Sequence, residues 1–364
     1  MKDLYFFGTT GVGEIVFTTP ILKYFSKYYK CHLCLPFRKG LLTGIFEDID
    51  FFDLIPLERD EFESYRPPDL FYKRHLVLKK KFLDKIDLNN SMLYGKNWFD
   101  IIDEDYKSLP NQITKTKWRD LPTALRELKT NVNQTLAELG ADVTKDKYYV
   151  TPKFDKFKNT GKKKVITIAN SWEPSRRISI KTVSTLSKRL SDYKVNYCGV
   201  IYPDESKDLK ISGESISNEE SGYKNLGADD KNDYEKSKKI LSFLYSSDLV
   251  IGPESGWINV AYAMEVPSIL LRSRCGYKKG EFRKTFYENL ELVSVKALSY
   301  SHLPQFVNIK PLSCNFSCLE TNEMTCYDRH NMEYPYSTEC LDYNIFNINR
   351  LASLIKEEIS KQNT

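Results

Sequence analysis

The chain has 364 residues, 41% of them hydrophobic and 28% charged, with a formal net charge of +5. At about 150 residues per domain, this predicts two domains of ordinary globular composition. The mild positive charge admits an anionic partner without requiring nucleic acid, and no apolar run approaches the roughly 18 residues of a membrane span.

Leu4-Tyr5-Phe6-Phe7 reads as a short strand that ends in the glycine-rich Gly8-Thr-Thr-Gly-Val-Gly13. A helix is predicted from Ile15 to Tyr29, a second strand over Cys31–Pro36, and a third over Phe52–Leu57 after another helical stretch. This rhythm implies a parallel sheet with helices on its faces. Residues 60–115, rich in Lys, Asp, Tyr and Asn, give no assignable pattern. Leu121, Leu125, Leu128, Val132, Leu136 and Leu139 recur at helical spacing, and Gly140 follows as a C-cap.

The polar, basic segment 144–164, broken by Pro and Gly, marks the boundary between an N-terminal domain (1–155) and a C-terminal one (160–345). Beyond it the rhythm restarts. Strands are predicted over Val165–Ala169, Tyr197–Tyr202, Leu249–Ile251 and Ser268–Leu271, and helices over Ile180–Leu190, Tyr234–Ser246 and Trp257–Met264. Residues 204–233 are polar and offer little core. Ile348, Leu351, Leu354, Ile355 and Ile359 mark a terminal amphipathic helix (346–364), expected to pack back toward the N-terminal domain. The fold class is therefore α/β, with two doubly wound, Rossmann-like domains. Ligands of such sheets bind beyond the strand C-termini, here in a cleft between the domains.

Three stretches carry chemistry. In Gly8–Pro20, glycines let the backbone pass close to a ligand at a strand end. The spacing is neither that of the usual dinucleotide fingerprint nor that of a P-loop. Glu14, where loop becomes helix, is placed either to accept a proton from an attacking hydroxyl or simply to complement the helix dipole. In Ala169–Ile180, Arg176 and Arg177 precede a helix and suit bidentate phosphate binding, or are solvated surface charge. In Ser246–Leu271, the N–H groups of Ser255, Gly256 and Trp257 open a helix where a phosphate is stabilised. Glu254 there fits sugar or ribose hydroxyls better than phosphate. Ser255 also reads as an ordinary N-cap.

Taken in order, these stretches resemble glycosyltransferase family nine, the ADP-heptose:lipopolysaccharide heptosyltransferases. The family's first motif, roughly G-D-x-x-x-T-x-P, is occupied by Gly13-Glu14-Ile-Val-Phe-Thr18-Thr-Pro20. Ser175-Arg176-Arg177 matches its basic motif, and Asp248–Leu271 follows the signature DLVIGxDSGxxHLAxALGVPxxxL. Cys340-Leu-Asp-Tyr-Asn-Ile resembles its closing Cys motif. The likeness covers most of the chain except 60–115. It implies a GT-B fold, with Glu14 as catalytic base. Gly13, Arg176, Arg177, Glu254, Ser255, Gly256 and Asn259 would be the donor and phosphate-binding residues. The implied reaction is inverting transfer from a nucleotide-diphosphate-sugar to an acceptor hydroxyl on a glycan or glycolipid, without a required cofactor or metal. The chain departs from the family at Glu14 and Glu254 (Asp in the family), Asn259 (His) and Arg176 (Lys). An extra methylene shifts a carboxylate by about 1 Å, which matters for positioning. Two other readings stay open. One is a transferase of the same fold acting on a modified DNA base, a protein or a small molecule, with Lys79–Lys81 and Lys162–Lys164 as phosphate contacts in the DNA version. The other is a member that binds nucleotide-sugar without turnover.

The N-terminus lacks a secretory pattern, so the chain is expected to be cytoplasmic, with peripheral association at the inner face of the membrane if the acceptor is a lipid. Its eight cysteines are then thiols or metal ligands rather than disulfides. Cys314, Cys318, Cys326 and His330 have some zinc-like spacing, which a buried thiol cluster also explains. Cys31-His-Leu-Cys34 does not converge on a metal, because residues three apart on a strand face opposite ways. His32, His75 and His302 have no flanking pattern that assigns a role.

Overall fold

The computed structural model describes residues 1–7, 12–35, 39–65, 74–95, 99–103, 150, 163–171, 178–201, 205–217, 230–253, 255–272, 305–308 and 345–362. The expected helix over 121–139 lies outside them. The chain divides into two compact units, Met1–Lys153 with Asn225–Lys238, and Phe154–Lys224 with Lys239–Thr364. Among the described residues, no helix is long and apolar enough to cross a membrane.

In the first unit, β1 (Lys2–Phe7), α1 (Val12–Phe25), β2 (Tyr29–Leu35), α2 (Lys39–Phe46) and β3 (Asp53–Pro56) follow the predicted rhythm. Strands β1 to β3 join β6 (Ser91–Gly95) in a parallel sheet of order β3-β2-β1-β6. The unbroken apolar run of β1 follows from cover on both faces. Tyr5 and Phe7 pack into a cluster with Cys34, Leu78 and Phe82, while Leu4 and Phe6 are buried on the opposite face by the two-residue period. Cys31 Sγ reaches the Leu22 carbonyl of α1 at 3.7 Å, so Cys31 and Cys34 do serve opposite faces.

Residues 60–103, unassigned from sequence, hold β4 (Phe62–Tyr65), β5 (Arg74–Leu78), α3 (Lys80–Leu83), β6 and β7 (Phe99–Asp103). Strands β4, β5 and β7 form a second, mixed sheet.

Helix α1 starts at Val12, three residues before the expected start, and tolerates Pro20 within it. Proline has no N–H for the Val16 carbonyl four residues back. The Thr19 hydroxyl donates to that carbonyl at 2.7 Å, so the Thr-Pro pair carries its own repair. His32, unassigned from sequence, is structural. Its ring stacks on Tyr5 with centroids 4.5 Å apart, and its Nε2 lies 2.7 Å from Asp3 Oδ1. Its Nδ1 is 3.3 Å from Asp53 Oδ2 but lacks hydrogen-bond alignment.

The second unit holds β8 (Val165–Ala169), α4 (Ile180–Arg189), β9 (Lys194–Gly199), β10 (Ser215–Ser217) and the second half of α5 (Asp230–Tyr245). It continues through β11 (Leu249–Pro253), α6 (Gly256–Ala263), β12 (Ser268–Arg272), β13 (Gln305–Asn308) and α7 (Ile345–Lys361). The sheet is parallel, in the order β10-β9-β8-β11-β12-β13. Asp248 sets its register at the N-terminal edge: its carboxylate accepts from Val165 N–H at 2.7 Å and from Lys164 Nζ at 2.9 Å.

The structure adds two details to the expectations. The apolar stripe of α7 is buried in the core of this second unit, where Ile348, Leu351, Ile355 and Ile359 join Ile166, Ile180 and Leu186. The described contacts of that stripe are with α4 and the sheet beneath it. Strand β9 also begins and ends earlier than Tyr197–Tyr202. The Tyr197 hydroxyl donates to the Val200 carbonyl at 2.9 Å, which requires the chain to fold back after Gly199. Strand β10 and its approach, in the polar segment 204–233, are held by backbone bonds to β9 and by side-chain bonds. Ser212 Oγ accepts from Val195 N–H at 2.9 Å and Asn196 Oδ1 from Glu214 N–H at 3.1 Å, which leaves no hydrophobic signal to read.

Candidate functional site

In the second sheet the connection from β8 runs outward through α4 to β9, while that from β11 runs the other way through α6 to β12. The crevice at this reversal, beyond the strand C-termini, is where open parallel sheets bind ligands. Two short segments follow the adjacent strand ends there. One is Asn170-Ser171, following β8; the other is Ser255-Gly256, following β11.

The two strands approach unusually closely at this edge. A Cβ on Gly252 would stand 2.2 Å from the Ala169 carbonyl oxygen, so only glycine fits. Two residues past the strand end, Ser255 is extended (φ −141°, ψ 162°) and its Oγ accepts from Ile258 N–H at 3.4 Å. Ser255 is therefore the N-cap of α6. The N–H groups of Ser255, Gly256 and Trp257 belong to the turn that has no intrahelical acceptor. Asn259 N–H starts the ladder by donating to Ser255 O at 3.5 Å, and its side chain is half-buried in the first turn of α6.

Asn170 falls within the stretch Ala169–Ile180, where sequence reasoning assigns it no role. It is buried, and its Oδ1 accepts from Ser171 N–H (2.9 Å) and Ile178 N–H (2.8 Å). Its Nδ2 donates to Ile178 O (2.7 Å) and to the Tyr197 hydroxyl (3.1 Å). Two backbone donors on one atom fix which end of the amide is oxygen. The available signal was an Asn placed directly after an apolar strand, a residue type that bonds nearby backbone and ends regular structure.

The predicted residues thus divide into three groups. Ser255, Gly256 and Asn259 come together on the C-terminal edge of the second sheet. Gly13, buried, and Glu14 lie in the first turn of α1, directly after the segment that leaves β1. There Phe7 pairs with Gly95 at the ends of β1 and β6, the corresponding reversal of the first sheet. Arg176, Arg177, Glu254 and the set Cys314, Cys318, Cys326 and His330 lie outside the described residues. Among the described residues, no group of three His, Cys, Asp or Glu could hold a metal.

Three lysines considered as DNA contacts are engaged by carboxylates. Lys80 pairs with Asp84 and Lys81 with Asp60, both at 2.6 Å, and Lys164 pairs with Asp248 at 2.9 Å. The hydrogen bond to Lys81 lowers the Asp60 pKa, and the same bond raises that of Lys81.

No family model matches the sequence, and no curated protein matches it. Solved structures do. A glycosyl transferase family 9 protein from Veillonella parvula aligns with a TM-score of 0.56 at 11% identity, over 99% of this chain and 98% of that one. The E. coli ADP-heptose lps heptosyltransferase II aligns at 0.51 and 10% identity over 100% of both chains. TibC of enterotoxigenic E. coli, a dodecameric iron-containing heptosyltransferase solved with ADP-D-β-D-heptose, aligns at 0.51 and 12% identity over 100% of this chain and 79% of that one. At these identities the likeness establishes the fold, and the chain is an α/β protein of the GT-B type.

Proposed function

We propose that the protein is an inverting glycosyltransferase that moves a sugar from a nucleotide-diphosphate-sugar to an acceptor hydroxyl on a glycan or glycolipid. The observation that carries this reading is the second sheet's reversal between β8 and β11, with a serine-capped helix opening onto it. The N–H groups at 255–257 and the guanidinium groups of Arg176 and Arg177 stabilise the departing diphosphate. Glu254 and Asn259 bind hydroxyls of the donor. The C-terminal domain (160–345) takes the donor and the N-terminal domain (1–155) takes the acceptor. In the N-terminal domain, Glu14 removes the proton from the attacking hydroxyl as the new bond forms at the anomeric carbon. The positive groups named supply the charge that a divalent metal would otherwise supply.

The test is a thermal-shift screen across nucleotide-sugars, including ADP-heptose because structural neighbours act on or bind it. A ligand that binds only the native state raises the melting temperature. The expected result is one nucleotide class that stabilises the protein and whose sugar is then transferred or hydrolysed. If none stabilises it, the proposal fails. Stabilisation without turnover over any acceptor leaves the protein a nucleotide-sugar binder.

A further inference from the structure

The strands of the first sheet run parallel, so β1, β2 and β3 begin at one edge, and the last turn of α1 ends there too. From that last turn into β2 the chain reads Lys23-Tyr-Phe-Ser-Lys-Tyr-Tyr-Lys30, with three lysines, four aromatic residues and no acid. The rings touch in series. Tyr24 meets Phe25 and Tyr28 with centroids 5.7 and 5.6 Å apart, and Phe25 meets Tyr29 at 6.0 Å. Most of this series is half-buried, but one end protrudes. Among the described residues, the large apolar side chains left exposed are Met1 (81%) and Tyr28 (57%). The register pairs Lys2 with Tyr29, so one step back along each strand Met1 comes beside Tyr28. Apolar residues exposed singly need no explanation, whereas two that coincide on one edge make a patch.

Cations surround it. Lys2, Lys27 and Lys30 are exposed. The Lys27 ammonium lies 5.5 Å from the centroid of the Tyr24 ring, and that of Lys23 lies 4.6 Å from the centroid of Phe51. The carboxylates on the neighbouring strands are engaged: Asp3 by His32 at 2.7 Å and Asp53 by Lys30 at 3.4 Å. Among the described residues Lys2, Lys23 and Lys27 make no ion pair. Asp50, in the turn before Phe51, is an exposed acid bordering this group.

That chemistry selects the partner. Two protruding side chains bury far less than the roughly 800 Å² per partner of a stable protein interface. Rings tilted 54–75° against one another do not offer the open faces on which bases stack. A bilayer surface needs less. Tyrosine settles at headgroup level, lysine stems lie along the apolar boundary, and ammonium groups meet lipid phosphates.

We propose that this edge of the first unit docks on membrane surfaces rich in anionic phospholipid, with Met1 and Tyr28 entering the headgroup layer and Lys2, Lys23 and Lys27 contacting phosphates. Docking at the strand N-termini leaves uncovered the opposite edge of the same sheet, where Gly13 and Glu14 lie in the first turn of α1.

The test is co-sedimentation of the full chain with vesicles of equal parts phosphatidylglycerol and phosphatidylethanolamine, against vesicles of phosphatidylcholine alone. A lysine near an anionic surface contributes about fivefold to partitioning, so three predict a preference of about 100-fold for the anionic vesicles. Added salt should shrink it. Lys2→Glu/Lys27→Glu is expected to lose at least about 25-fold. Tyr28→Ser, at an exposed position, is expected to lose about threefold with its melting curve unchanged. Asp50→Asn is expected to gain about twofold, a change that misfolding does not produce. Equal partitioning onto both vesicles, or a charge reversal without effect, overturns the proposal. So does retention of duplex DNA without vesicle binding, which would make this a nucleic-acid face. Vesicle binding involves no sugar transfer, so its failure leaves the proposed function standing.

Discussion

Replacing Gly252 by alanine tests the geometry of the candidate site. The added Cβ would sit 2.2 Å from the Ala169 carbonyl oxygen, whereas carbon–oxygen contacts close to about 3.3 Å. The two strands must separate by roughly 1 Å where they now touch. The obstacle is backbone rather than a side-chain tip, and it belongs to β8, every residue of which is buried. The strands are also pinned just below, through the pairs Val250↔Thr167 and Ile251↔Ile168. Overpacking of this kind costs about 1–3 kcal/mol, and the upper end applies when nothing nearby can yield. For a unit of roughly 200 residues, 3 kcal/mol lowers the melting temperature by about 6–12 °C. Because Ser255 begins its cap three residues later, the displacement also moves the N–H groups of 255–257. Nucleotide affinity should therefore fall along with stability. Differential scanning calorimetry with and without bound nucleotide reads both. A variant that melts within 1 °C of wild type and binds nucleotide equally well would falsify the close strand approach and its link to the site.

Glu14→Gln should leave the melting curve and donor affinity nearly unchanged and lower turnover by about 10²-fold or more, the usual scale for losing a general base. Turnover at the wild-type rate makes Glu14 a helix-terminal charge only. Chelation by EDTA should leave transfer intact. Loss restored by magnesium or manganese refutes metal independence, and slow loss restored only by zinc points to Cys314, Cys318, Cys326 and His330. Burial raises the Cys31 and Cys198 thiols from 9.0 to about 12. Their unfolded forms ionise first, so the stability they confer is complete below pH 9 and lost as pH rises toward 12. At pH 10 each costs on the order of 1 kcal/mol. The urea midpoint should drop between pH 8 and pH 10, and less so in Cys198→Ala. An unchanged drop in that variant removes the thiol as the cause.

The α/β rhythm is legible along the chain without the structure. Buried parallel strands such as Leu4–Phe7 and Val165–Ala169 must be apolar along their whole length, and the helices between them announce themselves by period and by punctuation such as Ser255-Gly256. The sequence also put Ser255 at a strand-to-helix turn, where the structure has it as a cap, whereas Gly13 and Glu14, read as loop and loop-to-helix junction, lie within the first turn of a helix that begins earlier. Features that depend on partners distant in the chain emerge only once it is folded. The edge strand β10 is invisible in a polar segment because backbone bonds to β9 and the side chains of Ser212 and Asn196 hold it, and apolar periodicity does not record hydrogen bonds. The Val16 carbonyl freed by Pro20 becomes harmless only because the Thr19 hydroxyl reaches it. The apolar face of α7 was legible, but which core it joins was not, since a stripe specifies burial and not the surface that buries it. Asn170 and Gly252 gained their meaning in the same way. Nothing in their neighbours along the chain states that Ile178, Tyr197 and Ala169 will surround them, and only the folding of β8, β9 and β11 side by side brings those atoms within reach.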